Sequence, residues 1–201
     1  MKQRDIVFSL IILVFCLVAS GCGNKQPDAE NPKPNITENH TYYNITGATT
    51  NDLRRQMDIL GPSDEFRDQH DAYTEWYVDW SYPNLVTSDG CATGPISVTV
   101  TITQTFPKWG PPPETSPNLI SEWNAYIEAL QLHESGHSEI GIEAGEEILR
   151  SLSNLPPYPT CGELEQIADA KGQSILDEFH RKEVEYDRTT QHGETQNARF
   201  P

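Results

Sequence analysis

Basic residues are scarce in this sequence of 201 residues. It contains 14 lysines and arginines against 30 aspartates and glutamates, a formal net charge of −16 at pH 7, and no basic patch offsets this surplus. Such a protein repels the phosphates of nucleic acids and the head groups of anionic lipids. The composition therefore excludes nucleic-acid binding, and we expect no nucleic-acid partner.

The sequence also lacks an apolar run long enough to cross a membrane. Its longest run, from Ile6 to Ala19, is shorter than the roughly 20 residues that a transmembrane helix needs. The run follows Lys2 and leads through small residues to Cys22, an order typical of a secretory signal that ends in a lipobox. We predict a lipoprotein signal peptide at residues 1–21 and lipidation of Cys22, which holds an exported protein on the extracytoplasmic face of a membrane. The alternative is an ordinary signal cleaved nearby, or an uncleaved N-terminal anchor.

Cysteine is rare, and none of the four cysteines belongs to a Cys-x-x-Cys pair of the kind that zinc sites use. Cys16 lies in the predicted signal, and Cys22 is the lipidation candidate. Cys91 and Cys161 remain, and two leftover cysteines in an exported protein most simply form a disulfide. We predict this disulfide in preference to a pair of zinc ligands.

The composition changes near residue 42. Residues 22–41 are rich in asparagine, proline and charged side chains and have few apolar ones, which predicts a flexible tether. Residues 42–201 are numerous enough to bury a core and show no internal repeat, so we predict that they form a single domain.

Two segments have the alternation of side chains that is typical of β-strands. Residues 73–82 alternate aromatic and polar side chains, and residues 96–106 alternate apolar side chains with polar ones, mostly threonine. We predict that they pair as an antiparallel hairpin with Cys91 near its tip. The proline-rich residues 107–113 are predicted to end the sheet, and a further short strand is predicted at residues 42–45.

Helical spacing of apolar residues predicts three helices. The first covers residues 51–60, the second runs from the N-cap Ser116 to about Leu155, and the third covers residues 162–186. The predicted fold class is α+β, with a small antiparallel sheet packed with two long helices in one domain.

The second predicted helix contains an HExxH pattern at residues 133–137. Residues four apart share one face of a helix, so the imidazoles of His133 and His137 can reach one Zn²⁺ ion. Glu134 lies beside them and can take a proton from a zinc-bound water, since zinc lowers the pKa of that water toward about 7. This arrangement suits attack on a carbonyl group.

A catalytic zinc ion of this type needs a third protein ligand, and the residues leave several candidates open. Glu143 has the spacing that short-spacer zinc proteases use, but it lacks the helix break that they need. Glu163 and Glu165 resemble the downstream glutamate of thermolysin-like sites. His192 follows the third predicted helix, where an antiparallel return of the chain can bring it over the second.

The HExxH pattern is one of several landmarks spread over most of the chain. They are Tyr43–Gly47, Gly61 with Pro62, Trp80 with Cys91, Pro107–Trp109, Trp123, the HExGH stretch His133–His137, Tyr186 with Asp187, Thr190–Gly193, and Gln196 with Ala198–Pro201. With these landmarks the chain resembles the DUF922 family, described as predicted secreted zinc-dependent proteases. The resemblance implies a protease-like domain and favours His192 as the third zinc ligand. Asn197 stands where the family pattern has glycine.

The sequence thus predicts a secreted, lipid-anchored zinc-dependent metallohydrolase with a zincin-like fold. Its cofactor is Zn²⁺, its ligands are His133, His137 and His192, and its substrate is a peptide or another amide. Glu134 is the predicted catalytic base. The alternative is a non-catalytic zinc-binding module on the cell surface, which predicts the same metal in a closed site with four protein ligands.

Overall fold

A small sheet and two long helices make up most of the structure, a computed structural model that describes residues 32–63 and 68–201. In chain order the strands are β1 (Asn35–Ile45), β2 (Tyr73–Ser81), β3 (Asn84–Thr87), β4 (Gly90–Thr93) and β5 (Ser97–Trp109). The helices are α1 (Thr50–Leu60), α2 (Pro117–Ser153) and α3 (Cys161–Thr190), followed by a 3₁₀ turn, η1 (Glu194–Gln196). This is the α+β class that the sequence predicts.

The main sheet has three strands in the order β1-β5-β2. As predicted, β2 and β5 are antiparallel, with Tyr73 opposite Thr105 and Ser81 opposite Ser97. The prediction of a wholly antiparallel sheet is wrong, because β1 runs parallel to β5 from Asn35 opposite Thr99 onward. Parallel strands are joined by a long connection rather than by a tight turn, so the sequence contains no hairpin signal for the pairing of β1 with β5.

The first strand is longer than the sequence predicts. Its residues 35–41 belong to the predicted tether, yet they pair with β5, and the compact unit of the structure begins at Pro32. Nearly all the side chains of β1 are exposed, so the strand has no apolar face to mark it in the sequence. The predicted signal peptide at residues 1–21 and the lipidation site Cys22 lie outside the described residues. No helix within the described ranges combines the length and the hydropathy needed to span a membrane.

The sheet also extends past the proline that is predicted to end it. Pro107 lies within β5, opposite Tyr43 of β1. Since β2 begins opposite Thr105, β5 has a neighbouring strand on one side only at this point. A proline has no N–H to donate and is tolerated at such an edge position.

The connection between β2 and β5 contains the hairpin of β3 and β4 rather than a simple turn. Cys91 lies on β4 and is joined by a disulfide to Cys161 at the start of α3, with 5.0 Å between the two Cα atoms. The backbone N–H of Cys91 also donates to the carbonyl oxygen of Tyr158, at 2.7 Å. The predicted disulfide is therefore confirmed, and it fixes the hairpin to the beginning of α3.

Replacing Cys91 and Cys161 together by serine is expected to lower the free energy of unfolding by about 4 kcal/mol, since the bond closes a loop of 70 residues in the unfolded chain. Urea unfolding of the purified protein measures the change. A reducing agent should reproduce the loss in the parent and add nothing in the double variant. A loss below about 1 kcal/mol would contradict the assigned role of the bond.

The two ends of helix α2 pack in two different apolar clusters. The middle third of the helix lies between these clusters. The side chain of Ser116 accepts a hydrogen bond from the N–H of Leu119, and Pro117 occupies the first helical position. Toward its start α2 packs with α1, the end of β5 and the C-terminal residues, and toward its end it packs with β2, β5 and α3. Fully burying each large apolar side chain contributes about 1.5–3 kcal/mol, so both ends of α2 are firmly held.

The helix α3 is capped at both of its ends. Thr160 and Glu163 form a capping box at its start. Its predicted end at residue 186 is wrong by one turn, because the helix continues to Thr190 and is capped by Gln191 in the left-handed conformation. The chain then turns back toward α2. The centroid of the Phe200 ring lies 5.1 Å from that of Tyr126 and 5.5 Å from that of Trp123.

Candidate metal centre

Two histidines lie one helical turn apart on the buried face of α2. The residues His133 and His137 are 5% and 9% exposed, and their ring centroids are 5.0 Å apart. The spacing of four residues and the continuous helix bring them together as the sequence predicts. Buried imidazoles need partners for both ring nitrogens, so their surroundings determine what the pair can bind.

The third member of the group is Asp187, which comes from α3. Its Oδ1 atom lies 3.3 Å from Nε2 of His133 and 3.1 Å from Nε2 of His137. One ligand atom from each of the three residues can be chosen so that all lie within 4.8 Å of one another. Two imidazoles and one carboxylate are a donor set that zinc and several other divalent transition metals accept, so this group can hold a metal ion.

The outer nitrogen of each imidazole has its own acceptor. Nδ1 of His133 lies 3.0 Å from Oε1 of Gln196, and Nδ1 of His137 lies 3.3 Å from Oε1 of Glu183. Glu183 is itself held by the indole N–H of Trp76, at 2.7 Å. Metal-binding histidines usually donate their other ring N–H to such an acceptor, which fixes the ring and leaves Nε2 for the metal.

Hydrogen bonds within the group favour the protonated form of His137 and the ionised form of Asp187. Burial lowers the pKa of His137, but the hydrogen bonds to Asp187 and Glu183 outweigh burial and raise this pKa to about 10. Burial raises the pKa of Asp187, but the hydrogen bonds to His133 and His137 hold it well below its usual range. A divalent cation bound between these groups would therefore compete with the proton of His137 and release it to the solvent.

Glu134 lies next to the histidines and is itself buried, with 4% of its surface exposed. Its Oε2 atom accepts a hydrogen bond of 2.6 Å from the hydroxyl of Thr74 on β2. Burial raises the pKa of Glu134, and this hydrogen bond and the two imidazoles offset the increase only in part. A carboxyl group whose pKa is raised binds a proton more readily, as a general base must.

The glycine of the HExGH stretch has a packing role. The ring of Tyr186 stacks on His133 with 5.2 Å between centroids and 11° between planes, and its hydroxyl donates to the carbonyl oxygen of His133 at 3.0 Å. A Cβ atom at Gly136 would overlap this hydroxyl and the ring that carries it. Only glycine at this position lets Tyr186 lie against His133.

Replacing Gly136 by alanine is expected to displace Tyr186 and weaken binding of Zn²⁺ by about 10-fold or more, because the support of His133 is lost. The matched control is Gly162→Ala, where a Cβ meets nothing within 4 Å. Competition with a chromophoric chelator measures both affinities. Equal affinities in the two variants would contradict the packing role of Gly136.

Gly141 and Gly145 follow His133 and His137 at four-residue steps along α2, and they bring the sheet close to the site. A Cβ at Gly141 would lie 2.6 Å from Cγ of Trp76, and one at Gly145 would overlap the side chain of Val100. Side chains of β2 and β5, rather than another backbone, therefore fill the space beside both glycines. Their close approach places Thr74 and Trp76 within reach of the site.

The candidates for the third ligand differ in their exposure and in their distance from the two histidines. The imidazole of His192 is 71% exposed, and its Nδ1 atom lies 3.8 Å from Oδ1 of Asp187, beside the group of three but outside it. A ligand role for His192 stays a prediction. Glu143 is exposed on the unbroken helix α2.

The other two candidates lie at the far end of α3. Glu163 caps the helix by accepting a hydrogen bond from the N–H of Thr160. Glu165 accepts one from Nδ2 of Asn84 at 2.7 Å. More than about 30 Å of helix separates both carboxylates from Asp187, so neither reaches the site.

Sequence reasoning missed four residues that shape the site, namely Asp187, Glu183, Gln196 and Thr74. The first two had a signal, because carboxylates four residues apart share a helix face, just as the two histidines do. The predicted end of the helix at residue 186 hid this pairing. Gln196 stands among the landmarks of the family resemblance, but nothing in the sequence places it at the site, because it reaches His133 only through the return of the chain. Thr74 has no signal, because only the packing of the sheet brings it to Glu134.

The fold and the site together define an α+β protein with a buried centre of two histidines and one aspartate that can bind a metal ion. The family model described as "Bacterial protein of unknown function (DUF922)" matches residues 40–193, which is most of the chain, and the protein belongs to this family. The matched range includes the HExGH stretch and Asp187, and it ends before Gln196. No curated protein and no solved structure matches the chain.

Proposed function

We propose that the protein is a zinc-dependent hydrolase of peptides or other amides. One observation carries the proposal: the Nε2 atoms of His133 and His137 and Oδ1 of Asp187 converge on one point beside a buried glutamate. Two imidazoles and a carboxylate are also the ligand set of known catalytic zinc sites. We accordingly assign Zn²⁺ to His133, His137 and Asp187.

Zinc held in this way would supply a water of lowered pKa and positive charge near a carbonyl oxygen. Glu134 is the base in this proposal, because it follows His133 directly in α2 and its carboxylate lies at the same buried site. The hydroxyl of Thr74 holds that carboxylate in one orientation, with a hydrogen bond of 2.6 Å. The proton that Glu134 accepts from water can then pass to the nitrogen of the leaving amine.

The arrangement of elements supports a zincin-like architecture. The helix that carries HExxH packs beneath the sheet, with Thr74 of β2 contacting Glu134. The third ligand comes from a later helix, α3, which lies against α2. This assignment rests on the arrangement of the site rather than on a solved relative.

We further propose that the protein acts outside the cytoplasm, anchored by a lipid at Cys22. The predicted signal at residues 1–21 supports export. The disulfide between Cys91 and Cys161 supports it independently, because such bonds form and persist in oxidising compartments.

A zinc-binding surface module without turnover is the second candidate function. It requires a fourth protein ligand, since structural zinc sites are closed. The metal-binding group found among the described residues has three members, which favours an open position and therefore the enzyme. Glu183 also lies beside His137, but one of its oxygens already accepts from the indole N–H of Trp76 and faces Nδ1 of His137.

Hydrolysis of a peptide library by the zinc-loaded protein tests the proposal. The protein is stripped with a chelator, reloaded with Zn²⁺, and incubated with fluorogenic peptides and simple amides. Cleavage should vanish on stripping and return at one equivalent of zinc, and His133→Ala should stay inactive throughout. Binding of zinc with no cleavage of any substrate class would favour the surface module instead.

A further inference from the structure

Gln196 reaches the site from a segment that lies beyond the family match. After α3 the chain passes through three residues with positive φ, Gln191, His192 and Gly193, and reverses its direction. The short turn η1 follows, and Asn197 ends it with φ of 67°, a conformation that asparagine and glycine both tolerate. The reversal therefore carries residues 194–196 back over His133.

The anchors of this segment are apolar and separate from Gln196. Ala198 and Phe200 are buried in the same cluster as Trp123 and Tyr126. Gly193 lies against His133, where an added Cβ would be 3.0 Å from the Cγ atom of the imidazole. The side chain of Gln196 is only partly buried and lies outside this apolar cluster.

Three hydrogen bonds form a closed ring through Gln196. The hydroxyl of Tyr186 donates to the carbonyl oxygen of His133, at 3.0 Å. It accepts from Nε2 of Gln196, at 3.2 Å. The amide oxygen Oε1 of Gln196 then faces Nδ1 of His133, at 3.0 Å.

The ring of hydrogen bonds makes Nδ1 of His133 a donor. The Tyr186 hydroxyl lies closer to the carbonyl oxygen of His133, at 3.0 Å, than to Oε1 of Gln196, at 3.4 Å, so we direct its proton to the carbonyl oxygen. The hydroxyl then accepts from Nε2 of Gln196, which places the amide oxygen against the imidazole. An amide oxygen can only accept, so Nδ1 of His133 must donate. This arrangement leaves Nε2 directed at Asp187, 3.3 Å away.

We propose that Gln196 is a positioning residue that holds Nδ1 of His133 as a hydrogen-bond donor and keeps Nε2 facing the position of the metal ion. The effect on the metal rests on the proposed function, whereas the effect on the imidazole does not. Glu183 supports His137 in the same way, but through a carboxylate. The C-terminal turn therefore completes the metal centre that α2 and α3 begin.

The affinity for Zn²⁺ is the first test. Gln196→Leu removes the acceptor at similar size and should weaken Zn²⁺ binding by about 10- to 100-fold. Gln196→Glu keeps an acceptor and should bind within about 3-fold of the parent, as expected for a conservative rescue. The control Gln131→Leu alters an exposed glutamine of α2 and should leave the affinity unchanged.

The state of the imidazole in the metal-free protein is the second test. ¹⁵N-resolved NMR of the histidine rings should show a slowly exchanging proton on Nδ1 of His133 in the parent, in Gln131→Leu and in Gln196→Glu. Gln196→Leu should lose that proton while its free energy of unfolding stays within about 1 kcal/mol of the parent. This result needs no metal, so it stands even if the parent binds no zinc.

Two outcomes would overturn the proposal. One is a Gln196→Leu variant that keeps the protected Nδ1 proton and the affinity of the parent. The other is a Gln196→Glu variant that loses both as fully as Gln196→Leu does, because a general structural role of the side chain would then explain the change.

Discussion

Replacing Asp187 by alanine should weaken Zn²⁺ binding by several hundred-fold. A structural zinc site with four ligands gains about 10–16 kcal/mol, so one ligand is worth roughly 2.5–4 kcal/mol, which is about 100- to 1,000-fold in affinity. The imidazoles of His133 and His137 would remain, but the oxygen that lies 3.1–3.3 Å from both Nε2 atoms would be gone. Chelator competition at fixed pH measures the affinity of the purified protein.

Two further variants make this result specific. His192→Ala should change the affinity by less than about 10-fold, because its exposed ring lies beside Asp187 rather than within the group of three. Asp177→Ala removes an exposed carboxylate of the same helix and should have no effect. If zinc is lost in His192→Ala and kept in Asp187→Ala, the ligand favoured by the family resemblance is the correct one.

Replacing Glu134 by glutamine should reduce hydrolysis by about 100- to 10,000-fold and leave zinc binding intact. An amide of the same size can still accept the hydrogen bond from Thr74, but it cannot take a proton from water. The ligands of the metal are untouched by this change. Turnover of the best substrate from the peptide library and zinc content of the same sample measure the two effects.

The control for this substitution is Glu139→Gln, which changes an exposed carboxylate on α2 five residues further along. It should leave both turnover and metal content as in the parent. Full turnover in Glu134→Gln would remove the glutamate from the mechanism. Loss of zinc in that variant would instead mean that Glu134 supports the metal rather than the reaction.

The parts of the structure that local sequence determines were predictable. Spacing along a helix places His133 and His137 on one face, whatever the rest of the chain does. Ser116 marks the start of α2 because its side chain accepts a hydrogen bond from one of the free N–H groups there. Pro117 marks it because proline has no N–H group that would be left free. The pairing of Cys91 with Cys161 followed from elimination, given the predicted export of the chain.

The parts of the structure that depend on packing between distant residues could not be predicted from the sequence. The parallel partner of β5 is a polar strand without an apolar face, so β1 looks like a tether until it is paired. Asp187 becomes a member of the metal group only because α3 crosses α2 at that turn. Gln196 depends on a reversal of the chain after Thr190, which no periodicity announces.

Metal content after zinc reconstitution is the most direct test of the metal centre. The purified protein, the double variant His133→Ala with His137→Ala, and Asp187→Ala are loaded with Zn²⁺, desalted and analysed by inductively coupled plasma mass spectrometry. The account predicts one zinc ion per chain in the parent and little or none in either variant. A parent protein that retains no zinc would contradict it, and the two histidines and the aspartate would then be a buried ion-paired cluster without a metal.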